Sequence, residues 1–132
     1  MLPAQARLRR RPDFTAAVRS GRRAGRPTMV LHLLPDRPAP DGGTPARGDD
    51  PRPQPPCARA GFVVGKTVGN SVVRHRVTRR LRAAVRAEYD RLPPTADLVV
   101  RARPEAADAD SAALRRDLAA GLDRLLAPGG RR

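Results

Sequence analysis

Hydrophobic residues recur along this chain with two periods, and the change from one period to the other predicts the secondary structure. Spacings of three and four residues predict helices, whereas strict alternation predicts strands. The predicted elements run in the order helix, strand, strand, helix, strand, helix, over residues 12–21, 28–34, 58–66, 69–91, 96–104 and 111–127. This order indicates an α+β fold, a small α/β sandwich in which the helices pack on a mixed sheet.

The apolar positions also predict which side chains form the core. In the first strand, Met29, Leu31 and Leu33 share the more apolar face and are expected to point inward. The longest helix has a core side and a basic side. Its core side is predicted to consist of Val73, Val77, Leu81, Ala84, Val85 and Tyr89. Its opposite side is predicted to carry Arg76, Arg79, Arg80, Arg82 and Arg86.

Two helix starts carry residues suited to N-capping. Either Asn70 or Ser71 can accept a hydrogen bond from the exposed N–H groups of the long helix, and Ser111 is predicted to do the same for the last helix. The residues between the first two strands, 35–56, hold eight prolines of the chain's fifteen. We interpret them as a disordered insertion within a single domain that spans 1–132, with a short tail at 128–132.

The net charge of the chain favours functions that involve a polyanionic partner. The chain carries 27 cationic and 13 acidic residues, which gives a net charge of +14. A small domain this basic repels itself, and the excess implies a polyanionic partner such as nucleic acid. Five arginines fall within nine residues of the long helix, and no acidic residue follows them before Glu88. A merely solvated helix face is the alternative, but without acidic partners the repulsion favours contact with nucleic acid.

Other classes find little support in the sequence. The two histidines, His32 and His75, are far apart, and no paired carboxylates lie near the basic face, so no self-contained active site or metal site is expected. Cys57 is the single cysteine, which excludes an internal disulfide and a cysteine-based zinc site. No apolar run approaches membrane-spanning length and no secretory signal is evident, so a cytoplasmic location is expected.

Three segments together resemble the protein subunit of bacterial ribonuclease P. They are RLRRRPDFTAAVRSGRR near the start, GFVVGKTVGNSVVRHRVTRRLRAAV in the middle, and DLVVRARP after it. The resemblance implies a fold similar to the second domain of a small-subunit ribosomal protein, with a left-handed crossover around helix 71–91. Pattern reasoning alone favours the right-handed form, which dominates among parallel strand pairs.

The resemblance also implies a function, the 5′ maturation of tRNA. In this family a large RNA subunit carries out the Mg²⁺-dependent cleavage, and the protein binds that RNA and the 5′ leader of precursor tRNA. Neither a membrane nor DNA is an expected partner, and the protein alone is expected to be inactive. The implied nucleic-acid-binding residues are Arg7, Arg9, Arg10, Phe14, Lys66, Asn70, Arg74, His75, Arg76, Arg79, Arg80 and Arg82.

This chain departs from the family pattern at four positions. His75 and Thr78 stand where asparagine and lysine are usual, and Val18 and His32 fall where aromatic residues often line the leader cleft. Two other functions stay open at this point. One is a ribosomal or general RNA-binding protein without a processing role, and the other is an autonomous nuclease.

Overall fold

The computed structural model describes residue 8, residues 11–35 and residues 57–127. The predictions made for Arg7, Arg9 and Arg10, for 36–56 of the proline-rich insertion and for the tail at 128–132 lie outside the described residues. The helices are α1 (Arg11–Ser20), α2 (Ser71–Glu88) and α3 (Ser111–Leu125), and the strands are β1 (Arg22–Gly25), β2 (Met29–Leu34), β3 (Arg59–Val63) and β4 (Asp97–Ala102). Short 3-10 turns follow α2 at Tyr89–Arg91 and precede α3 at Pro104–Asp108.

The four strands form one mixed sheet in the order β1-β2-β4-β3. The pairs β1–β2 and β2–β4 are antiparallel, and β3 and β4 pair in parallel, with α2 in the connection between them. The predicted α+β fold with helices on a mixed sheet is therefore confirmed. The parallel pair around α2 is also as expected, while the left-handed sense of its crossover stays a prediction.

The main core lies between one face of the sheet and helices α2 and α3. Met29, Leu31 and Leu33 have no exposed surface, as the alternation in the sequence predicted. Across from them, α2 and α3 contribute the fully buried side chains Val77, Leu81, Val85, Leu114, Leu118 and Leu122. These side chains remove apolar surface from water on both layers at once, which fixes the helices to the sheet.

The opposite face of the sheet is covered as well, by α1. Ala17 of α1, Leu8 and Val99 of β4 form a second buried cluster, with Phe14 and Val18 packed against it. Positions of β2 that the sequence assigned to the more polar face are therefore buried. His32, for example, is only 5 % exposed. The molecule has three layers, with the sheet in the middle.

The sequence pattern did not predict strand β1, and it predicted the wrong N-cap residue for α3. β1 is four residues long and only Ala24 in it is buried, so it carries too little alternation to stand out. Asn70 caps α2, which confirms one of the two predicted candidates. The prediction that Ser111 caps α3 is wrong, because Asp110 takes that place and its Oδ1 accepts a hydrogen bond of 2.8 Å from the backbone N–H of Ala113.

A buried ion pair joins the two parallel strands. Arg59 of β3 lies directly across from Asp97 of β4. The guanidinium donates from Nε and Nη2 to the two carboxylate oxygens of Asp97, at 2.8 and 2.7 Å. Asp97 is only 1 % exposed, so this two-pronged contact helps to offset the cost of burying its carboxylate.

Candidate nucleic-acid interface

A tight turn sets where α2 begins. The backbone N–H groups of Val68 and Gly69 donate to the carbonyl oxygens of Gly65 and Lys66. Gly69 has a φ of +156°, and a Cβ at this position would lie 2.9 Å from the side chain of Val73. A glycine is therefore required there. The turn leaves the Lys66 side chain exposed at the N-terminal end of α2.

Asn70 has a structural task at this turn. Its side-chain oxygen accepts a hydrogen bond of 3.0 Å from the backbone N–H of Val73, and its backbone carbonyl accepts one of 2.9 Å from the N–H of Arg74. The side chain is exposed, so the amide nitrogen is still accessible. This end of the helix also bears the positive pole of the helix dipole, and no acidic residue in the first turn offsets it.

The core side of α2 packs largely as predicted. Val77, Leu81, Ala84 and Val85 are buried. Val73 and Tyr89 at its two ends are only half-buried. This docking orients the rest of the helix, so that the cationic positions face away from the main core.

Two arginines and a histidine of α2 line one shallow depression, which we call the arginine face. It has a volume of about 480 Å³ and is lined by Ser71, Val72, His75, Arg76 and Arg79. Val72 is 70 % exposed in the middle of these polar groups. Lys66, Asn70 and Arg74 lie just before it or in the same first turns of the helix.

The hydrogen-bonding capacity of these arginines is mostly unused within the described chain. Arg74 and Arg76 are half-buried, and the Nε atom of each is buried without a hydrogen-bond partner in the ranges that the structure describes. Glu88 does not offset them, because its carboxylate is bound by Arg91 and Arg115 at 3.2 and 3.4 Å. Such a surface favours an external anion.

Arg80 stands apart from the other predicted contacts. It is half-buried on the flank of α2 that faces α3, and its Nη1 atom donates a hydrogen bond of 2.8 Å to the carbonyl oxygen of Ala109. The side chain thus ties α2 to the segment that leads into α3. Part of its donor capacity is committed to the fold.

The other flank of α2 borders a second depression, which we call the phenyl cleft. It has a volume of about 290 Å³ and is lined by Leu8, Phe14, Ala60, Gly61, Phe62, Thr78 and Arg82. Both phenylalanines of the chain lie here, one from α1 and one from β3. Arg82 is the one cation among the lining residues, so the cleft combines two aromatic rings with a single guanidinium.

Gly61 gives the phenyl cleft its shape. A Cβ at this position would overlap the ring of Phe14 and would lie 3.0 Å from Cβ of Leu8. The ring can approach the sheet this closely only because the strand has no side chain there. A glycine inside a strand pattern is a known sign of such a close approach, and this was the available signal for the site. Sequence reasoning missed Leu8, Gly61 and Phe62 and counted Thr78 only as a departure from the family pattern.

The structure therefore brings five of the predicted site residues together in two groups, on the two flanks of one helix. Phe14 and Arg82 meet in the phenyl cleft, and His75, Arg76 and Arg79 meet at the arginine face. His32, expected at the leader cleft, lies under α1 on the sheet. Burial, followed by the charges of Arg101 and Arg23, lowers the pKa of its imidazole, which keeps the ring neutral near pH 7.

The described ranges contain neither a cluster of metal ligands nor a membrane-spanning helix. Within residues 8, 11–35 and 57–127, no three residues among His, Cys, Asp and Glu lie close enough together to hold a metal ion. No helix in this part of the chain is both long and apolar enough to cross a membrane. The cytoplasmic location expected from the sequence stays a prediction.

Comparisons with known sequences point to one protein family. The family model for ribonuclease P matches residues 2–126. The ribonuclease P protein component of Streptomyces avermitilis is 52 % identical over 131 residues, which cover 99 % of this chain and 100 % of that one. The protein component of Corynebacterium diphtheriae is 46 % identical, over 95 % of this chain and 97 % of its own.

Solved structures show the same fold at lower identity. The ribonuclease P protein of Staphylococcus aureus superposes with a TM-score of 0.69 at 20 % identity, covering 89 % of this chain and 93 % of that one. The protein from Thermotoga maritima gives a TM-score of 0.66 at 23 % identity, over 89 % and 96 %. With the family model and the close relatives, the arrangement leads to one conclusion: this chain belongs to the family of ribonuclease P protein components.

Proposed function

We propose that this chain binds the catalytic RNA of ribonuclease P through the arginine face and holds the 5′ leader of precursor tRNA in the phenyl cleft. Family membership implies a place in an endoribonuclease complex that processes tRNA. The observation that carries the finer proposal is the pairing of two unlike depressions on the two flanks of α2. A protein that holds two RNA segments at once needs two such surfaces.

The arginine face suits a folded RNA. Its arginines have no carboxylate partners within the described chain. No phenyl ring is among the lining residues. Arginine presents a planar fork that matches the oxygens of a phosphate. Binding of this kind depends on the backbone and tolerates many sequences, as expected for contact with a structured RNA whose bases are already paired.

The phenyl cleft suits a single strand. Unpaired bases can stack on aromatic rings, with about 1–3 kcal/mol for each stacked base, and a nearby cation can hold the adjoining phosphate. Phe14 and Phe62 supply the rings and Arg82 the charge. The 5′ leader is the unpaired part of a precursor tRNA, which makes it the segment that fits this depression.

We propose further that the Mg²⁺ that the reaction needs is held by the RNA subunit, where it would activate water and stabilise the leaving oxygen. This chain's own contribution is to bind and to orient. Its cations lower the repulsion between the phosphates of the two RNA molecules, which favours metal binding to the RNA at low Mg²⁺.

One assay tests the proposal. Cleavage of precursor tRNA is measured at low Mg²⁺ with this protein alone, with the catalytic RNA alone, and with both. We expect the mixture to cleave faster than the RNA alone and the protein alone to be inactive. Cleavage by the protein alone would instead indicate an autonomous nuclease. A mixture no faster than the RNA alone would indicate an RNA-binding protein without a processing role.

A further inference from the structure

Val72 is a large apolar side chain that the fold leaves exposed. It lies in the first turn of α2 and is 70 % exposed, whereas the next residue, Val73, packs against the main core. A single exposed valine is common on protein surfaces. Val72 differs because it lines the depression of the arginine face, among polar side chains. Its apolar surface is therefore accessible where we expect the RNA to bind.

Helical spacing places Val72 beside the one aromatic ring of this depression. His75 follows it by three residues and Arg76 by four, so the three side chains lie on one stripe of α2, with neighbouring Cβ atoms about 5–6 Å apart. Like Val72, His75 is exposed. The imidazole ring and the isopropyl group thus form one accessible surface that can contact the flat face of a base.

Two guanidinium groups flank this surface. Arg76 is half-buried, and its Nε atom is buried without a hydrogen-bond partner in the ranges that the structure describes. Arg79, one turn further along α2, is exposed. No carboxylate of the described residues forms an ion pair with either arginine. Both are therefore available to an external phosphate close to the imidazole and the valine.

The size of the depression limits what can enter it. Its volume of about 480 Å³ falls in the range of pockets that hold a small ligand, about 300–1,000 Å³. A base inside an RNA duplex is stacked on both faces and cannot reach the ring. Bulges and loops of a folded RNA expose single bases, which proteins bind by stacking. An unpaired nucleotide therefore matches the depression in size and in chemical character.

We propose that the arginine face holds one unpaired nucleotide of a folded RNA. Its base packs on the imidazole of His75 and on Val72, and its phosphate is bound by Arg76 and Arg79. The identity of this RNA as the catalytic RNA rests on the proposed function, whereas the nucleotide site rests on the exposure, the spacing and the unpaired donors described above. The site makes a surface that otherwise binds backbone selective for RNA with an unpaired base in the right place.

Three RNA hairpins with the same stem test the proposal. One is fully paired, one has a single bulged adenosine, and one has an abasic nucleotide in place of that adenosine, which keeps the bulge but removes the base. Binding of each hairpin to the full-length protein is measured at low salt. We expect the adenosine hairpin to bind about tenfold more tightly than the other two, the effect of one stacked base. Equal affinity for the adenosine and abasic hairpins would overturn the proposal.

Variants show which side chains contact the base. His75→Asn keeps hydrogen-bonding groups but removes the ring, and should reduce the preference for the adenosine hairpin from about tenfold to about twofold. His75→Phe keeps a ring and should retain the preference. Val72→Ser should reduce the preference by about threefold, since it removes apolar contact area. A preference that survives both His75→Asn and Val72→Ser overturns the proposal, as does a preference that is lost in His75→Phe.

The matched control is Val63→Ser, which alters the other large apolar side chain that the described part of the chain exposes. Val63 lies in β3 and does not line the arginine face, so the preference should keep its full value. An equal loss in Val63→Ser and Val72→Ser would contradict the proposal. Because neither catalytic RNA nor precursor tRNA is present, the outcome is independent of whether the protein stimulates cleavage.

Discussion

The arginine face and the phenyl cleft lie on the two flanks of one helix, α2, and differ in the side chains that line them. The face carries two arginines and has no phenyl ring among its lining residues. The cleft has two phenyl rings and one guanidinium. Affinity at the face depends on charge and falls steeply with salt, whereas affinity at the cleft depends on fit and stacking and falls less. One amphipathic helix can therefore serve two RNA segments with different demands, because its two flanks meet different neighbours.

The strongest test of this comparison removes charge from the arginine face alone. Arg76→Gln/Arg79→Gln should weaken binding to the catalytic RNA by about 100-fold at low salt, at roughly a factor of ten for each lost phosphate contact. The log–log salt slope should decrease by about two. Binding measured over a series of salt concentrations checks both. A slope equal to that of the unaltered protein would mean that these arginines are merely solvated.

The second test alters the cleft and leaves the charge unchanged. Phe14→Ala removes one ring, and the preference for precursor over mature tRNA should fall about tenfold, since one stacked base contributes about 1–3 kcal/mol. The salt slope should stay the same. Phe14→Leu is the control for lost packing under α1, because leucine fills part of the volume but cannot stack. Equal preference in both variants and in the unaltered protein would remove the cleft from the account.

The third test separates two tasks of Asn70, which belongs to the edge of the arginine face. Aspartate caps helices as well as asparagine does. Asn70→Asp should therefore keep the thermal stability of the protein while it brings a negative charge toward the RNA. We expect about a fivefold loss of RNA affinity, comparable to one unfavourable charge at a surface. If both affinity and stability are unchanged, Asn70 is a cap and nothing more.

The fourth test concerns Arg80, which the comparison assigns to neither surface. Arg80→Ala removes its hydrogen bond to the carbonyl of Ala109 and should lower the free energy of unfolding by about 1 kcal/mol. RNA affinity should fall by no more than about threefold. Urea unfolding and RNA titration of the same sample give both values. A larger loss of affinity than for Arg79→Ala would place Arg80 among the main RNA contacts.

The smallest effect is expected from acid. The pKa of His32 is lowered in the folded protein, so the unfolded chain takes up the proton first as the pH falls below the ordinary value of 6.5. The contribution of neutral His32 to stability is complete above that value and is lost as the pH falls toward the folded-state pKa. The midpoint of urea unfolding should decrease from pH 7.5 to pH 5.5, and by less in His32→Phe. An identical decrease in both proteins would contradict the assignment.

The sequence predicted the arginine face far better than the phenyl cleft, for a physical reason. Cations on one side of a helix follow from spacing alone, since Val77 and Leu81 fix the inner side. The cleft brings together Leu8, Phe14, Gly61 and Arg82 from four separate parts of the chain, and no local pattern records that meeting. The resemblance to ribonuclease P proteins predicted Phe14 as a site residue. The role of Gly61 became clear only from its distance to the ring of Phe14.

The limited information in local sequence patterns also explains the smaller errors of prediction, at β1, at the cap of α3 and at His32. Four residues of β1 with a single buried side chain hold too little alternation to be detected. The cap of α3 was assigned to Ser111 because serine and aspartate are both good caps, and only the geometry shows which of the two neighbours accepts the hydrogen bond. The burial of His32 could not be foreseen, because α1 covers a strand face that the sequence marks as the more polar one.

The ion pair between Arg59 and Asp97 also affects the phenyl cleft, although neither residue lines it. A shift of β3 by one residue would separate these partners, and breaking a buried ion pair costs roughly 3–5 kcal/mol. The same shift would put Ala60 or Phe62 under the ring of Phe14 in place of Gly61. A charge pair buried between two strands thus fixes the position of the glycine that keeps the aromatic cleft open, two residues further along β3.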